Sequence, residues 1–301
     1  MLQLSPAYME RFQPNYSYIF EFERKFEHED TRDWMTDHWK NSVYFGAIYL
    51  IVIYAGRQWM ADRPKFELRG LLTVWNIALA IFSIMGVVRT VPEFYHVLKN
   101  YGFYHSVCVP SFMFNRVSGF WVWMFVLSKL PELGDTLFIV LRKQRLIFLH
   151  WYHHMTVLMY AWFSYAEYSA PARWFVVVNY TIHAMMYTYY ALKSMRYSPP
   201  TWIAMMITAL QIAQMIVGFA ITIWVYQMYV SHGQRECHIT MTNIRISALI
   251  YVSYLVLFAK FFHEAYMTDR KMSKSIFNKA QESGHVNQTN HSTFNGKLKS
   301  N

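Results

Sequence analysis

The sequence predicts an all-α, polytopic membrane protein with seven transmembrane helices. Three observations carry this. Of 301 residues, 54% are hydrophobic and 19% aromatic, and only 15% are charged, well below the roughly 25% usual in a soluble domain. The charges are clustered, leaving uncharged tracts close to the ~20 residues that a bilayer-crossing helix needs. The fourth, fifth and sixth of these tracts lack the polar face, at helical period, that a buried helix of a soluble protein would show. Eleven Gly, nine Pro and two Cys exclude collagen-like, low-complexity and disulfide-dense scaffolds.

The first span is read near 42–59, with 16 uncharged residues between Lys40 and Arg57; it is short unless both basic side chains snorkel. The second, near 70–89, has 19 such residues between Arg69 and Arg89. The third, near 117–141, is interrupted by Lys129, Glu132 and Asp135, and Pro131 can kink it. The fourth, near 146–166, has 21 uncharged residues, and the fifth, near 173–192, has 19. The sixth lies within 201–230, inside a 38-residue uncharged stretch from Arg196 to Arg235. The seventh, near 244–265, contains Lys260, His263 and Glu264. Residues 1–41 are acidic, contain no stretch resembling a signal peptide, and form an N-terminal segment. Residues 42–265 form the membrane domain, and 266–301 a polar tail expected to be disordered.

Seven spans place the termini on opposite faces. The loops after spans one, three and five and the tail carry a net charge of +11, and the opposite loops sum to zero; the spans, at −1, complete the formal +10. The positive-inside rule makes the basic face cytosolic, with the N-terminus lumenal and the C-terminus cytosolic. The basic balance thus belongs to a membrane surface rather than to nucleic acid. Cys108 and Cys237 both fall on the lumenal, oxidising side, which predicts a disulfide; the plainer reading is two free thiols. Of the glycan acceptor sequences at Asn15, Asn287 and Asn290, only Asn15 is lumenal. Lys297-Leu298-Lys299-Ser300-Asn301 resembles the di-lysine retrieval signal of endoplasmic reticulum membrane proteins, which works on cytosolic tails.

Ionisable groups inside spans are costly and are functional candidates by default. Here they cluster. Lys129, Glu132 and Asp135 recur every three residues, with Thr136 beside them. His150, His153 and His154 stand at i, i+3 and i+4, on one helix face. His183 shares a face with Met186, Tyr187 and Tyr190, and Asn179 lies one turn earlier. Thr208, Gln211 and Gln214 line one side of span six. At 1.5 Å per residue the histidines of span four lie about 6–12 Å from the cytosolic face and His183 about 13 Å. Four helices thus aim polar groups at the cytosolic half, as a pocket requires. The bland alternative is that these groups only join helices by hydrogen bonds.

Two chemistries fit. A His-x-x-His-His box also occurs in membrane di-iron fatty acid desaturases and hydroxylases, which need roughly eight nitrogen ligands; the cytosolic half offers five histidines. The other chemistry is nucleophilic and acid–base catalysis, because imidazole can be acylated and titrates near neutrality. A thioester with a lipid chain suits the layout, with basic loops for phosphates, polar groups at depth and an apolar tunnel. A seven-helix receptor or transporter would explain the spans but not a polar cluster confined to one half.

The residues also carry a resemblance. Lys129-Leu130-Pro131-Glu132-Leu133-Gly134-Asp135-Thr136, His150-Trp151-Tyr152-His153-His154, His183-Ala184-Met185-Met186-Tyr187-Thr188-Tyr189-Tyr190 and Thr208-Ala209-Leu210-Gln211-Ile212-Ala213-Gln214 stand in the order of the four motifs of the very-long-chain fatty acid elongase family. The chain resembles the branch acting on saturated and monounsaturated palmitate-type chains. The resemblance implies a 3-oxoacyl-CoA synthase, an acyltransferase of the endoplasmic reticulum. It would join long-chain acyl-CoA to malonyl-CoA, giving 3-ketoacyl-CoA, CoA and CO2, with no cofactor beyond the substrates. It also implies that 3-ketoacyl-CoA reductase, 3-hydroxyacyl-CoA dehydratase and enoyl-CoA reductase act downstream. Oligomeric state is left open, self-association included.

On this mechanism His153 is the expected nucleophile and His183 its partner. Asn179, His154 or Gln211 would stabilise an enolate. His150, Glu132 and Asp135 would orient imidazoles, and Lys129 would pair with Glu132 or face CoA. Tyr187, Tyr190, Gln214 and Thr208 are expected to contact substrate. Some of Arg142, Lys143, Arg145, Lys193 and Arg196 would meet CoA phosphates. The tunnel would close toward the lumen on bulky side chains, Trp224, Phe219 and Tyr226 among the candidates.

Overall fold

A computed structural model describes residues 6–232 and 237–268. The chain divides into two compact units, Met1–Val256 and Leu257–Asn301. Asn287, Asn290, Lys297 and Lys299 lie outside the described residues. Every regular element among the described residues is helical.

The first unit opens with short helices α1 (Pro6–Met9) and α2 (Glu21–Arg24), then α3 (His28–His38). The longer helices follow: α4 (Asn41–Met60), α5 (Arg69–Cys108), α6 (Arg116–Ser128), α7 (Gly134–Leu141), α8 (Phe148–Ala166), α9 (Ala172–Ser194), α10 (Thr201–His232) and α11 (Met241–Phe262). Each of the seven apolar tracts is therefore helical. By length and composition, Arg69–Cys108, Thr201–Ser231 and Met241–Met267 are able to cross a membrane. Helices α4 and α5 leave Ile51, Tyr54, Leu71 and Val74 more than half exposed, a side-chain set suited to lipid and costly in water.

Two local departures follow from single residues. The third tract is two helices rather than one, because Pro131 has no N–H to donate and its ring excludes a continuing helix. A 3-10 turn, Pro131–Leu133, separates α6 from α7. Helix α5 runs well past residue 89 and contains one non-helical residue, Gly102, at φ 79°, a conformation open to glycine. Helix α6 starts cleanly, since Asn115 Oδ1 accepts from the N–H groups of Val117 and Ser118 at 3.0 and 2.8 Å, the arrangement of a good N-cap.

The main core joins α3, α6, α8 and α9 through Met35, Phe125, Leu158, Trp162 and Tyr180. A second cluster surrounds the disulfide between Cys108 and Cys237. This unit has a histidine end, with His150 and His154, and a disulfide end, with Cys108 and Cys237. At the disulfide end the N–H of His238 donates to the Cys108 carbonyl at 3.0 Å, and that of Ala170 to the His238 carbonyl at 3.0 Å. The second unit holds the last turns of α11 and a π-helical turn, His263–Thr268, with an exposed Lys260–Glu264 pair at 3.9 Å.

Candidate active site

The break at Pro131 builds the site. It turns Lys129 and Glu132 inward together, both almost fully buried. Lys129 Nζ donates to Glu132 Oε1 and Oε2 at 2.8 and 3.1 Å and to Asn179 Oδ1 of α9 at 3.4 Å, and it lies 4.0 Å from the Phe125 ring centroid. Ser128 Oγ adds a bond to Glu132 at 2.8 Å. A buried ion pair loses much hydration and persists only when further partners satisfy both groups; here each has them. Gly134, which opens α7, lies so close to Trp75 that a Cβ would sit 3.2 Å from the indole.

That close approach lets Trp75 Nε1 donate to Asp135 Oδ1 at 2.6 Å, while the Tyr187 hydroxyl donates to Oδ2 at 2.9 Å. Asp135 thus pins α5 and α9 to α7. One residue on, Thr136 Oγ1 meets the Tyr49 hydroxyl at 2.6 Å and His150 Nε2 at 3.0 Å. The His150 and His154 rings are 4.4 Å apart, and those of His153 and His154 5.6 Å apart. His183 of α9 lies within electrostatic reach of His153, His154, Lys129 and Glu132. Imidazoles from two helices therefore share one buried region with an ion pair. Within it, His154 Nδ1 is buried without a hydrogen-bond partner, a costly condition unless an incoming group completes it.

A mostly apolar cavity leads away from this cluster. His153, Asn179, Gln214 and Tyr254 line it near the cluster. Val157, Tyr160 and Ala161 continue along α8, and Met113, Tyr165, Ser169 and Ala172 lie at the disulfide end.

The other sequence candidates divide. Gln211 contacts Met186 Sδ at 3.4 Å and is not among the lining residues, whereas Gln214, one turn along, is. Thr208 is buried and donates to the Ala204 carbonyl at 3.1 Å. Tyr187 serves Asp135; Tyr190 is 46% exposed with its ring against Tyr189. Arg142, Lys143 and Arg145 lie in the α7–α8 turn, where Lys143 Nζ bonds the Ala61 carbonyl at 2.9 Å. Lys193 and Arg196 are exposed at the end of α9. Asn15 is exposed in the N-terminal segment. Trp224 packs against the disulfide cluster, and neither it, Phe219 nor Tyr226 lines the cavity.

Several participants left no readable signal in the sequence. Trp75, Tyr49 and Tyr254 are single aromatics among 57, and only packing selects them. Arg89 and Arg173 mark the edges of uncharged tracts, yet both are buried ion-pair partners, of Glu23 and Glu93. An arginine flanking an apolar run looks the same whether it faces headgroups or a carboxylate.

The fold and site define a helical membrane protein with a histidine cluster at one end of an apolar cavity. The chain belongs to the ELO: GNS1/SUR4 family, which it matches over residues 34–274. It is 57% identical over 269 residues to the Drosophila melanogaster protein named very long chain fatty acid elongase 6, covering 87% of this chain and 85% of the relative. The Mus musculus protein of that name is 48% identical over 248 residues (82% and 92% covered), and the Homo sapiens one 47% identical over 257 residues (85% and 96% covered). These comparisons give no support to a desaturase or hydroxylase.

Proposed function

We infer that this chain is a fatty acid elongase and performs the condensing step of elongation, with long-chain acyl-CoA and malonyl-CoA as substrates. The observation that carries the reading is the cavity: a mostly apolar slot lined by His153 and Asn179, beside the buried ion pair. In the proposed mechanism an imidazole nitrogen of His153 attacks the acyl thioester. The C–S bond breaks, CoA leaves as the thiol with the imidazole proton, and an acyl-imidazole remains. Malonyl-CoA then loses CO2, and the resulting enolate carbon forms the new bond to the acyl carbon as the imidazole departs as its anion, which takes up a proton from solvent. His154, with its unpartnered nitrogen, and Asn179 are the groups proposed to stabilise enolate charge. The Lys129–Glu132 pair and the Thr136–His150 bond position the rings.

The proposed setting is the endoplasmic reticulum membrane, crossed seven times by α4, α5, α6 with α7, and α8 to α11. The histidine end would be cytosolic and the disulfide end lumenal, with Asn15 available for glycosylation. Some of Arg142, Lys143, Arg145, Lys193 and Arg196 would then meet CoA phosphates, and the cavity would be the acyl tunnel. The test is intact-mass analysis of purified protein incubated with palmitoyl-CoA and no malonyl-CoA. One added acyl group, absent in His153→Ala, supports the covalent route. Product formation from labelled malonyl-CoA with no adduct would replace it by direct attack in a ternary complex. Glycosidase sensitivity of Asn15 in microsomes checks the orientation.

A further inference from the structure

We propose that Tyr165, held by Thr31 of α3, is the end-stop of the acyl cavity, so that the N-terminal segment ahead of the first long helix helps set acyl-chain length. The inference rests on the elongase reading and deepens it. From His153 to Tyr165 the cavity follows α8 for twelve residues, about 18 Å at the helical rise. Its far wall is Met113, Tyr165, Ser169 and Ala172. Tyr165 is the bulkiest of these and is 3% exposed.

What backs this wall is α3. The Tyr165 hydroxyl meets Thr31 Oγ1 at 2.8 Å. Thr31 has one hydroxyl hydrogen, and it reaches the His28 carbonyl at 3.0 Å, so Tyr165 is the donor and Thr31 its acceptor. One turn further on, the Tyr168 hydroxyl donates to the His28 carbonyl at 2.7 Å and contacts His28 Nδ1 at 2.8 Å. The Arg32 guanidinium lies 4.8 Å from the Tyr168 ring centroid. Met35 is fully buried in the same core, and Trp34 packs edge-on to Trp123 and Trp162. The Trp123 ring is in turn 5.1 Å from that of Tyr165. The tyrosine ring is therefore fixed from behind by a hydrogen bond and a tilted aromatic contact. An acyl chain reaching it cannot push it aside without breaking both. Thr31 acts as a positioning residue, through Tyr165.

The experiment is condensation with labelled malonyl-CoA in microsomes containing the full-length protein, across myristoyl-, palmitoyl-, stearoyl- and arachidoyl-CoA. In Tyr165→Leu the stearoyl-to-palmitoyl turnover ratio is expected to rise about tenfold, the discrimination a pocket exerts against added methylene. Thr31→Val, which keeps the branched shape but loses the acceptor, is expected to raise the ratio less. Thr31→Ser, which restores the hydroxyl, is expected to return it to the wild-type value. A purely structural role would lower turnover on all chain lengths together, and that result overturns the proposal. So does a ratio within about twofold of wild type in Tyr165→Leu. Should Tyr165→Leu not accumulate, the Thr31→Val and Thr31→Ser pair decides by the same ratio. A wild-type protein that condenses none of the four substrates overturns the elongase reading instead.

Discussion

Both ends of the helical unit bury charge, and the contrast between them separates scaffold from chemistry. At the disulfide end, Arg173 takes Glu93 in a two-point grip at 3.0 and 3.1 Å. It spends its remaining donors on Ser111 Oγ and the carbonyls of His105, Ser106 and Val109. Arg89 holds Glu23 likewise, and Trp121 Nε1 and the Phe20 N–H complete the carboxylate. At the histidine end the Lys129–Glu132 pair is also satisfied, but it adjoins four imidazoles, one with an unpartnered nitrogen, and a cavity. Closed networks fix helices to one another; the network with an open valence is where, on the proposed mechanism, a ligand would complete the set.

The contrast would be sharpened most by His153→Ala, expected to cut condensation by about a thousandfold or more while leaving the protein folded. Next come the ion pairs. Lys129→Met and Arg173→Met each strand a buried carboxylate and should each cost about 3–5 kcal/mol of stability, read as a lower thermal aggregation midpoint in detergent. Only Lys129→Met should also abolish turnover by the fraction that remains folded. An equal loss in Arg173→Met would erase the distinction between the ends. Reducing the disulfide, or replacing both cysteines by serine, should cost about 2–5 kcal/mol with turnover of the folded fraction intact. Asp135→Asn, which exchanges one acceptor for a donor against Trp75 and Tyr187, should cost about 1–3 kcal/mol.

The smallest effect is a pH response at the disulfide end. Burial alone would raise the Glu23 carboxyl, but the hydrogen bonds from Arg89, Trp121 and the Phe20 N–H outweigh it and hold the group below its ordinary 4.5. A depressed native value means the contribution is present above 4.5 and is lost as pH falls through the lower native value. Protease protection of residues 13–38 should therefore weaken in that acidic window, and Glu23→Gln should flatten the dependence.

Much of the site was legible because membrane burial makes polar residues conspicuous. His150, His153 and His154 at i, i+3 and i+4 share a face by helix geometry, and Lys129, Glu132 and Asp135 stand out in an apolar tract. Their division of labour was not legible. Helical period places His150 and His153 on one face, yet His150 turns to Thr136 while His153 lines the cavity. Gln211 and Gln214 are one turn apart, and only the second reaches the cavity. The break after Ser128 was foreshadowed by Pro131, but the resulting directions of Glu132 and Asp135 were not.

By itself the sequence determined the helical class, the positions of the apolar tracts and the clustering of histidines and charges within them, because these depend on composition and on local period. Tertiary structure alone decided that Trp75 holds Asp135, that Arg89 and Arg173 are internal ion-pair partners, and that α3 backs the far wall of the cavity. Those contacts join residues 60 to 134 positions apart. Local period carries no information about which of many similar aromatic and charged side chains packing will bring together.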